Sequence, residues 1–362
     1  MAKIVYGLSG EGSGHSFRAQ VMIKFLLEKG HEVKVTSYDK GYENLKNKFD
    51  VLKIEGLRFI IEDNRISKHK TIAENWSTIS QRYASSQILK QKLFKEFKPD
   101  CVITDFEPMT AYFANQYDIP LITIDNQHRM RYMKIHYPTE LLADAILTEN
   151  LIRLMIPRPD ISLISTFYFT ELRNDRNFLF PAIISSEIQE ITPEIKDHIL
   201  VYLTAGFESL LEKLKNYKRE KFIVYGYDKD FQDDNLHFNK AGRENFLRDL
   251  ATSKAVFGTA GFTLMTEAFY LKKPYCAFPL KGQFEQIFNG FLLEKVGYGR
   301  TVKNLEIDII SSFLYNIPEF QEKFKNVKQE GNSAIFEKLS EILADDCRIL
   351  KQYNEKRKSI FA

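Results

Sequence analysis

The sequence predicts an α/β protein made of two doubly wound halves, and three observations point there. Short apolar runs alternate with helical stretches, the alternation lapses and restarts once, and glycine-bearing turns follow strands in both halves. Strands separated by helices of ordinary length imply parallel sheets with right-handed crossovers. At 362 residues the chain suits two domains of ordinary size.

Taken in order, residues 3–6 form a β run, and 16–29 carry Ala19, Met22, Ile23, Leu26 and Leu27 at helical spacing before Gly30 stops the helix. Residues 32–36 read as a strand, 79–96 as a helix ended by Pro99, and 101–104 as a further strand. A short helix over 109–116 and a strand over 119–124 follow. Periodicity loosens over 126–137, then returns as an amphipathic helix over 139–155 and an apolar strand over 161–169. The passage between halves falls at 181–197, after which 199–203, 207–216, 222–225, 245–251 and 255–257 resume the alternation. Residues 333–359 are helical and rich in charge. There is no short-period repeat and no low-complexity tract. The expected domains are 1–185, 186–340 and a terminal helix over 341–362.

Composition excludes several classes. Apolar residues make up 44%, with 29 Phe and 18 Tyr to fill two cores. A net charge of +3 is too mild to argue for nucleic acid, and no such partner is expected. Cys101, Cys276 and Cys347 lie far apart without CxxC spacing, which suits a reducing cytoplasm better than a disulfide framework or a zinc site. The opening MAKIVYGLSG runs straight into a strand, and no run of 18 apolar residues occurs, so a soluble cytoplasmic protein is expected.

Residues 256–299, VFGTAGFTLMTEAFYLKKPYCAFPLKGQFEQIFNGFLLEKVGYG, are the most informative stretch. They read as strand, glycine turn, helix carrying Glu267, strand, and a loop ending in Glu285, Gln286 and Asn289. Free amides where the helix starts, after Gly261, can hold a diphosphate, because that helix end is unsatisfied and positively polarised. Glu267 can accept from ribose hydroxyls, and Glu285 with Gln286 offers acceptors and donors for a hexose. The blander reading is that any doubly wound domain has glycines after strands and polar residues at loop ends.

Thr259, Gly261, Thr263, Glu267-Ala268, Pro274, Pro279, Glu285-Gln286, Asn289, Leu293-Glu294 and Gly297 together resemble the donor-binding half of GT-B glycosyltransferases. That group includes the UDP-glycosyltransferases and the N-acetylglucosaminyl transferase that completes lipid II, and this chain is most similar to a branch often labelled teichoic-acid-biosynthesis-like. The resemblance implies two Rossmann-like domains facing each other across a cleft, with the terminal helix crossing back to the first. It implies that Glu267 binds ribose, that Glu285 and Gln286 bind the transferred sugar, and that amides from Gly261 through Phe262 and Thr263 to Leu264 bind diphosphate. Relatives use a backbone amide against uracil where this chain has Leu247, and Thr204 and Gly206 fall where phosphate neighbours stand. Many relatives carry His or Arg ahead of the helix, whereas this chain has the neutral Thr259, so phosphate charge must be met by backbone dipoles or another residue.

The first turn, GLSGEGSGHSFRA, fails the dinucleotide fingerprint G-x-G-x-x-G because His15 holds the third glycine position, although Asp39 ends the second strand as that reading requires. Gly12, Ser13 and Gly14 instead form a loop that lets the backbone approach the acceptor or the donor phosphates. His15 is either a general base or a residue that hydrogen-bonds only its own loop. Asp105, after the strand CVIT, opens onto the same sheet edge and can orient the imidazole. The turn and the PDCVITDFEP segment both resemble this glycosyltransferase group, in whose UDP-glycosyltransferase branch the His is the base with an Asp behind it. Which of His15 and Asp105 takes the proton stays open.

The implied reaction is an inverting displacement at the anomeric carbon, from a UDP-type sugar to a hydroxyl acceptor. No cofactor or metal is expected: the back half shows no His/Asp cluster with ligand spacing, and Asp233-Asp234 reads as solvated. A sugar-nucleotide epimerase or hydrolase, or a non-catalytic nucleotide-sugar sensor, would share the donor residues. The segment NQHRMRYMKIHYP over 126–138, with the helix over 139–155, reads either as a solvated basic loop beside a core-facing helix or as a surface for anionic lipid or a polyanionic acceptor. In the second case the protein is peripheral at the inner membrane face, working on a lipid-linked acceptor in cell-envelope glycan synthesis.

Overall fold

A computed structural model describes residues 1–361 apart from 59, 63–64, 204–205, 241, 304–306 and 326. In the first part of the chain come β1 (Lys3–Leu8), α1 (Gly14–Glu28), β2 (Glu32–Ser37), α2 (Asp39–Leu45) and β3 (Val51–Lys53). A hairpin of β4 (Ile61–Glu62) and β5 (Arg65–Ile66) precedes α3 (Lys68–Ser77) and α4 (Ile79–Leu89), the latter running into a π-helical stretch, Lys90–Glu96. Next are β6 (Cys101–Asp105), α5 (Pro108–Gln116), β7 (Leu121–Asp125), α6 (Arg129–Tyr132), α7 (Thr139–Met155), β8 (Ile161–Thr166) and β9 (Asn177–Pro181).

The later part holds α8 (Ser186–Gln189), β10 (Ile199–Tyr202), α9 (Glu208–Leu214), β11 (Phe222–Tyr225), β12 (Phe231–Asp233) and β13 (Leu236–Phe238). It continues with α10 (Arg243–Thr252), β14 (Ala255–Gly258), α11 (Phe262–Tyr270), β15 (Tyr275–Ala277), α12 (Phe284–Val296) and β16 (Gly299–Thr301). It closes with α13 (Ile307–Tyr315), α14 (Ile317–Lys323) and α15 (Ser333–Phe361). Two compact units result, one of residues 1–60, 67–185 and 330–362, the other of 61–66 and 186–329.

The first unit carries a parallel seven-stranded sheet in the order β3-β2-β1-β6-β7-β8-β9. Both faces of this sheet are covered, which explains why its strands are apolar throughout instead of alternating. Ile4, Tyr6, Ile103, Ile122 and Leu163 pack with α1 and with Ile335, Leu339, Ile342 and Leu350 of α15. On the other face Val5, Val102 and Leu121 meet Leu93, Phe94, Ala111 and Met155. The buried Glu107, beside Asp105 in the sequence, is a helix cap: its carboxylate accepts from the amides of Met109 and Thr110, with Pro108 opening α5.

In the second unit the sheet order is β12-β13-β11-β10-β14-β15-β16, parallel except for the β12–β13 pair. Each sheet therefore reverses its direction of growth once, between β1 and β6 and between β10 and β14. Ligands of open α/β sheets bind at the carboxyl ends of strands beside such reversals.

The basic segment after β7 does not form a solvated loop. Asn126 through Met130 are buried, and the His128 ring and amide both turn back onto Asp125, at 2.7 and 2.9 Å. Lys134 and His136 are exposed in that stretch, and Lys134 pairs with Glu171. Nor does α7 face the core as an ordinary amphipathic helix. It buries Ala145, Ile152 and Met155 while leaving Leu142, Ile146, Leu147, Leu151 and Leu154 exposed. Asp233 and Asp234 sit at a hairpin and pair with Lys215 and Lys218. Asp39 is held by the Arg58 fork, which accounts for it without a dinucleotide.

Candidate active site

In the first unit, β1 leads through a loop into α1. Gly12 in that loop has φ of 72°, the left-handed region open to glycine, and Gly10 packs so closely on the Tyr38 carbonyl that a Cβ would not fit. Ser13 is the residue ahead of α1 and makes no side-chain cap bond, Gly14 is the first helical residue, and His15 follows in the first turn. Asp105 ends β6 directly opposite Leu8 of β1. The reversal point thus brings His15 and Asp105 together: His15 Nδ1 lies 2.7 Å from Asp105 Oδ1.

Arg18, one helical turn beyond His15, completes the arrangement. Its Nε donates to Asp105 Oδ2 at 2.9 Å, its Nη2 to Oδ1 at 2.6 Å, and its Nη1 to Asn126 Oδ1 at 3.1 Å. Burial pushes the Asp105 carboxyl upward, but the guanidinium and the imidazole more than reverse this, so it lies below the usual carboxylate range. Asp105 is fully buried with both oxygens occupied, while His15 keeps 12% of its side chain exposed. With Nδ1–H donating to Asp105, Nε2 carries the lone pair. Arg18 was legible in the sequence only as a residue at i+3 from His15; nothing marked it as the partner of Asp105.

In the second unit, the turn after β14 enters α11. A Cβ at Gly258 would collide with Tyr275 Oη, which donates to the Thr259 carbonyl at 2.7 Å and pins the turn. Gly261 caps α11 with φ −72° and ψ 130° and no side-chain cap bond; the Met265 amide is the first seen to donate back, to the Gly261 carbonyl. Phe262, Thr263 and Leu264 therefore supply the first-turn amides. Phe262 is itself buried, and Thr263, Leu264 and Thr259 are half-buried.

Glu267, further along α11, is only 6% exposed. Burial lifts its carboxyl above the usual value, and Arg243, whose Nη2 is 3.3 Å from Oε1, offsets this only in part. Arg243 also reaches Glu187 at 3.2 Å. It is a cation beside the expected ribose acceptor that sequence reasoning passed over, because it lies at the start of a different helix.

Glu285 and Gln286 open α12, with Glu285 half-buried. Gln286 Oε1 accepts from the Leu280 amide at 3.0 Å, leaving its Nε2 as the donor end. Asn289, one turn on and fully buried, donates to the Ala260 carbonyl at 2.8 Å, tying α12 to the turn before α11. These residues thus share one carboxyl edge of the sheet. Leu247 is buried in the fifth position of α10, where its amide belongs to the helical ladder; the uncommitted amides of that helix are in its first turn. Gly206, with φ of 98°, donates its amide to the Glu208 carboxylate at 3.0 Å. Thr204 lies outside the described residues. Among the described residues no His/Cys/Asp/Glu cluster could hold a metal ion.

The sequence profile of glycosyl transferase family 1 matches residues 2–318. The chain belongs to that family. An uncharacterized glycosyltransferase of Methanosarcina mazei is 28% identical over 332 residues, covering 82% of this chain and 85% of that one. Among solved structures, the kitacinnamycin glycotransferase superposes with a TM-score of 0.67 at 11% identity, covering 94% of this chain and 98% of its own. MurG of Acinetobacter baumannii gives 0.59 at 15% identity, covering 94% and 99%. At such identities the superpositions establish the fold, and this glycosyltransferase is of the GT-B type with two Rossmann-like domains. Glycosyltransferases of this family use a nucleotide-sugar donor and an acceptor. No described helix of this one is long and apolar enough to cross a membrane.

Proposed function

We propose that this glycosyltransferase inverts configuration without a metal ion, moving a hexose or N-acetylhexosamine from a UDP sugar to an acceptor hydroxyl. The observation that carries the reading is the His15–Asp105–Arg18 network. It supports His15 as the base, since Asp105 is buried, saturated with donors and held ionised, whereas with Nδ1–H on Asp105 the Nε2 of His15 keeps its lone pair. The acceptor O–H gives its proton to Nε2, the oxygen bonds to the anomeric carbon, and the carbon–oxygen bond to the diphosphate breaks with its electron pair. Imidazolium formed in that step is balanced by Asp105.

Phosphate charge is met by the first-turn amides of α11, where no side chain caps the helix. Glu267 takes the ribose hydroxyls, Arg243 keeping its carboxylate in place, and Glu285 with Gln286 Nε2 takes the sugar. Envelope glycan or glycolipid synthesis, as in the teichoic-acid-biosynthesis-like branch, suits this chemistry. An acceptor carried on a lipid would bring the enzyme to the inner membrane face.

The experiment is turnover of a nucleotide-sugar panel, read as free nucleoside diphosphate with and without envelope acceptors, for wild type and His15→Ala. His15→Ala should lower turnover by roughly 10²–10⁴, the usual span of general-base catalysis. A change under about threefold would remove His15 from the mechanism. Release of diphosphate without any acceptor would indicate a hydrolase, and binding without release a sensor.

A further inference from the structure

Helices α3 and α4 raise an apolar ridge on the first unit. Ile72 and Trp76 are an i, i+4 pair on one face of α3, and Ile79 and Tyr83 are an i, i+4 pair on one face of α4. Their exposures are 67, 74, 53 and 68%. The two helices meet at Thr78, whose amide donates to the Glu74 carbonyl to close α3 and whose carbonyl accepts from the Arg82 amide to open α4. Single exposed apolar residues are normal, but two such pairs on consecutive helices mark an interaction surface.

The charge around the ridge says what covers it. Residues 67–95 hold six lysines and arginines against one carboxylate, Glu74, which pairs with Arg58 at 3.6 Å. That is a net +5 within a chain whose total is +3. Lys70, Lys92 and Lys95 are exposed. A second copy seated here would form a self-complementary pair and set two +5 segments against each other, which disfavours it. Helix α7 also exposes leucines, but Glu140, Asp144 and Glu149 outnumber Arg153 along it, the wrong sign for an anionic surface.

We propose that the α3–α4 ridge docks the protein on an anionic bilayer, with Trp76 at headgroup level and the lysines on the lipid phosphates. This places membrane contact on a different segment from the basic stretch over 126–138, and it stands whatever sugar or acceptor the enzyme uses. Trp76 is the only tryptophan of the chain, so its emission reports this ridge alone. The full chain is mixed with vesicles of phosphatidylcholine and of phosphatidylcholine with an equal share of phosphatidylglycerol.

On the anionic vesicles at low salt, Trp76 emission should shift to the blue and become shielded from an aqueous quencher. Both effects should fade at high salt and be absent on neutral vesicles. Co-sedimentation of the double variant Ile72→Ser, Tyr83→Ser should show at least a tenfold loss of vesicle affinity, with its melting temperature and its diphosphate release from soluble substrates unchanged. Unshifted emission on anionic vesicles overturns the proposal. So does shielding of Trp76 that rises with protein concentration without lipid, which would assign the ridge to a second copy. A variant that keeps vesicle affinity also overturns it. Vesicle binding by a protein that turns over no nucleotide sugar would instead defeat the transferase chemistry and leave this inference intact.

Discussion

Asparagine at position 105 separates the structural and chemical roles of the buried network. Asp105 is wholly buried and accepts from two Arg18 nitrogens and from His15. An amide there removes the charge balancing Arg18 and points N–H groups at a guanidinium. Breaking such a buried, hydrogen-bonded pair costs about 3–5 kcal/mol. For domains of this size each kcal/mol moves the midpoint by about 2–4 °C, so Asp105→Asn should melt roughly 6–20 °C below wild type. His15→Ala loses one charge-assisted hydrogen bond from a partly exposed side chain and should melt well above Asp105→Asn. Thermal unfolding by far-ultraviolet circular dichroism measures both, and diphosphate release is read far below the lower midpoint. Because the folded Asp105 titrates below its ordinary range, its contribution is present above the unfolded pKa and is lost only as pH falls through the lower, folded one. At neutral pH, a variant within about 2 °C of wild type would refute the argument that Arg18 and Asp105 form a buried pair.

Two further outcomes follow from charges buried elsewhere. Glu267 has its carboxyl raised by burial, so its protonated form is favoured in the folded state; that contribution to stability is present in acid and disappears as pH rises through the raised value. Glu267→Gln should therefore raise the melting temperature at pH 7 by roughly 2–4 °C, with the gap closing in acid, while abolishing the thermal shift that nucleotide sugars produce. Unaltered donor binding in calorimetry would take Glu267 out of the ribose site. Lys273 is buried against the Glu194 carbonyl and its ammonium is depressed to about 8, so the unfolded chain holds more protons between that value and 10.5 and stability rises with pH across the window. Lys273→Met should flatten that rise and be more stable than wild type at pH 7, by at most about 3 kcal/mol; equal pH slopes in urea titrations would contradict this.

Much of the architecture was legible because parallel strands covered on both faces are apolar runs, and CVIT and FIVY have no other place to go. The glycine turns were legible for a similar reason, since Gly258 and Gly10 stand where a Cβ would strike Tyr275 or the Tyr38 backbone. The basic stretch after β7 was not, because its polar residues are satisfied internally: His128 by Asp125, and Asn126 by Arg18. Periodicity records which side chains avoid water and carries no information on such pairing. Leu247 stands at an apolar position inside the α10 ladder, whereas the uncommitted amides of that helix, in its first turn, carry no apolar signal. Arg18 and Arg243 escaped because long cations at helical positions look like solvated surface until a buried carboxylate is found beside them.

The return of α15 to the first unit sets the order in which this chain can mature on a ribosome. Ile335, Leu339, Ile342 and Leu350 seal the same face of the sheet as Ile4 and Ile23, yet they emerge more than three hundred residues later. Nearly all of the second unit is synthesised as one uninterrupted stretch, 186–329, and can settle while the first still lacks its cover. Until α15 has emerged, the nascent protein therefore shows a strip of bare aliphatic sheet and helix, the kind of surface that chaperones shelter.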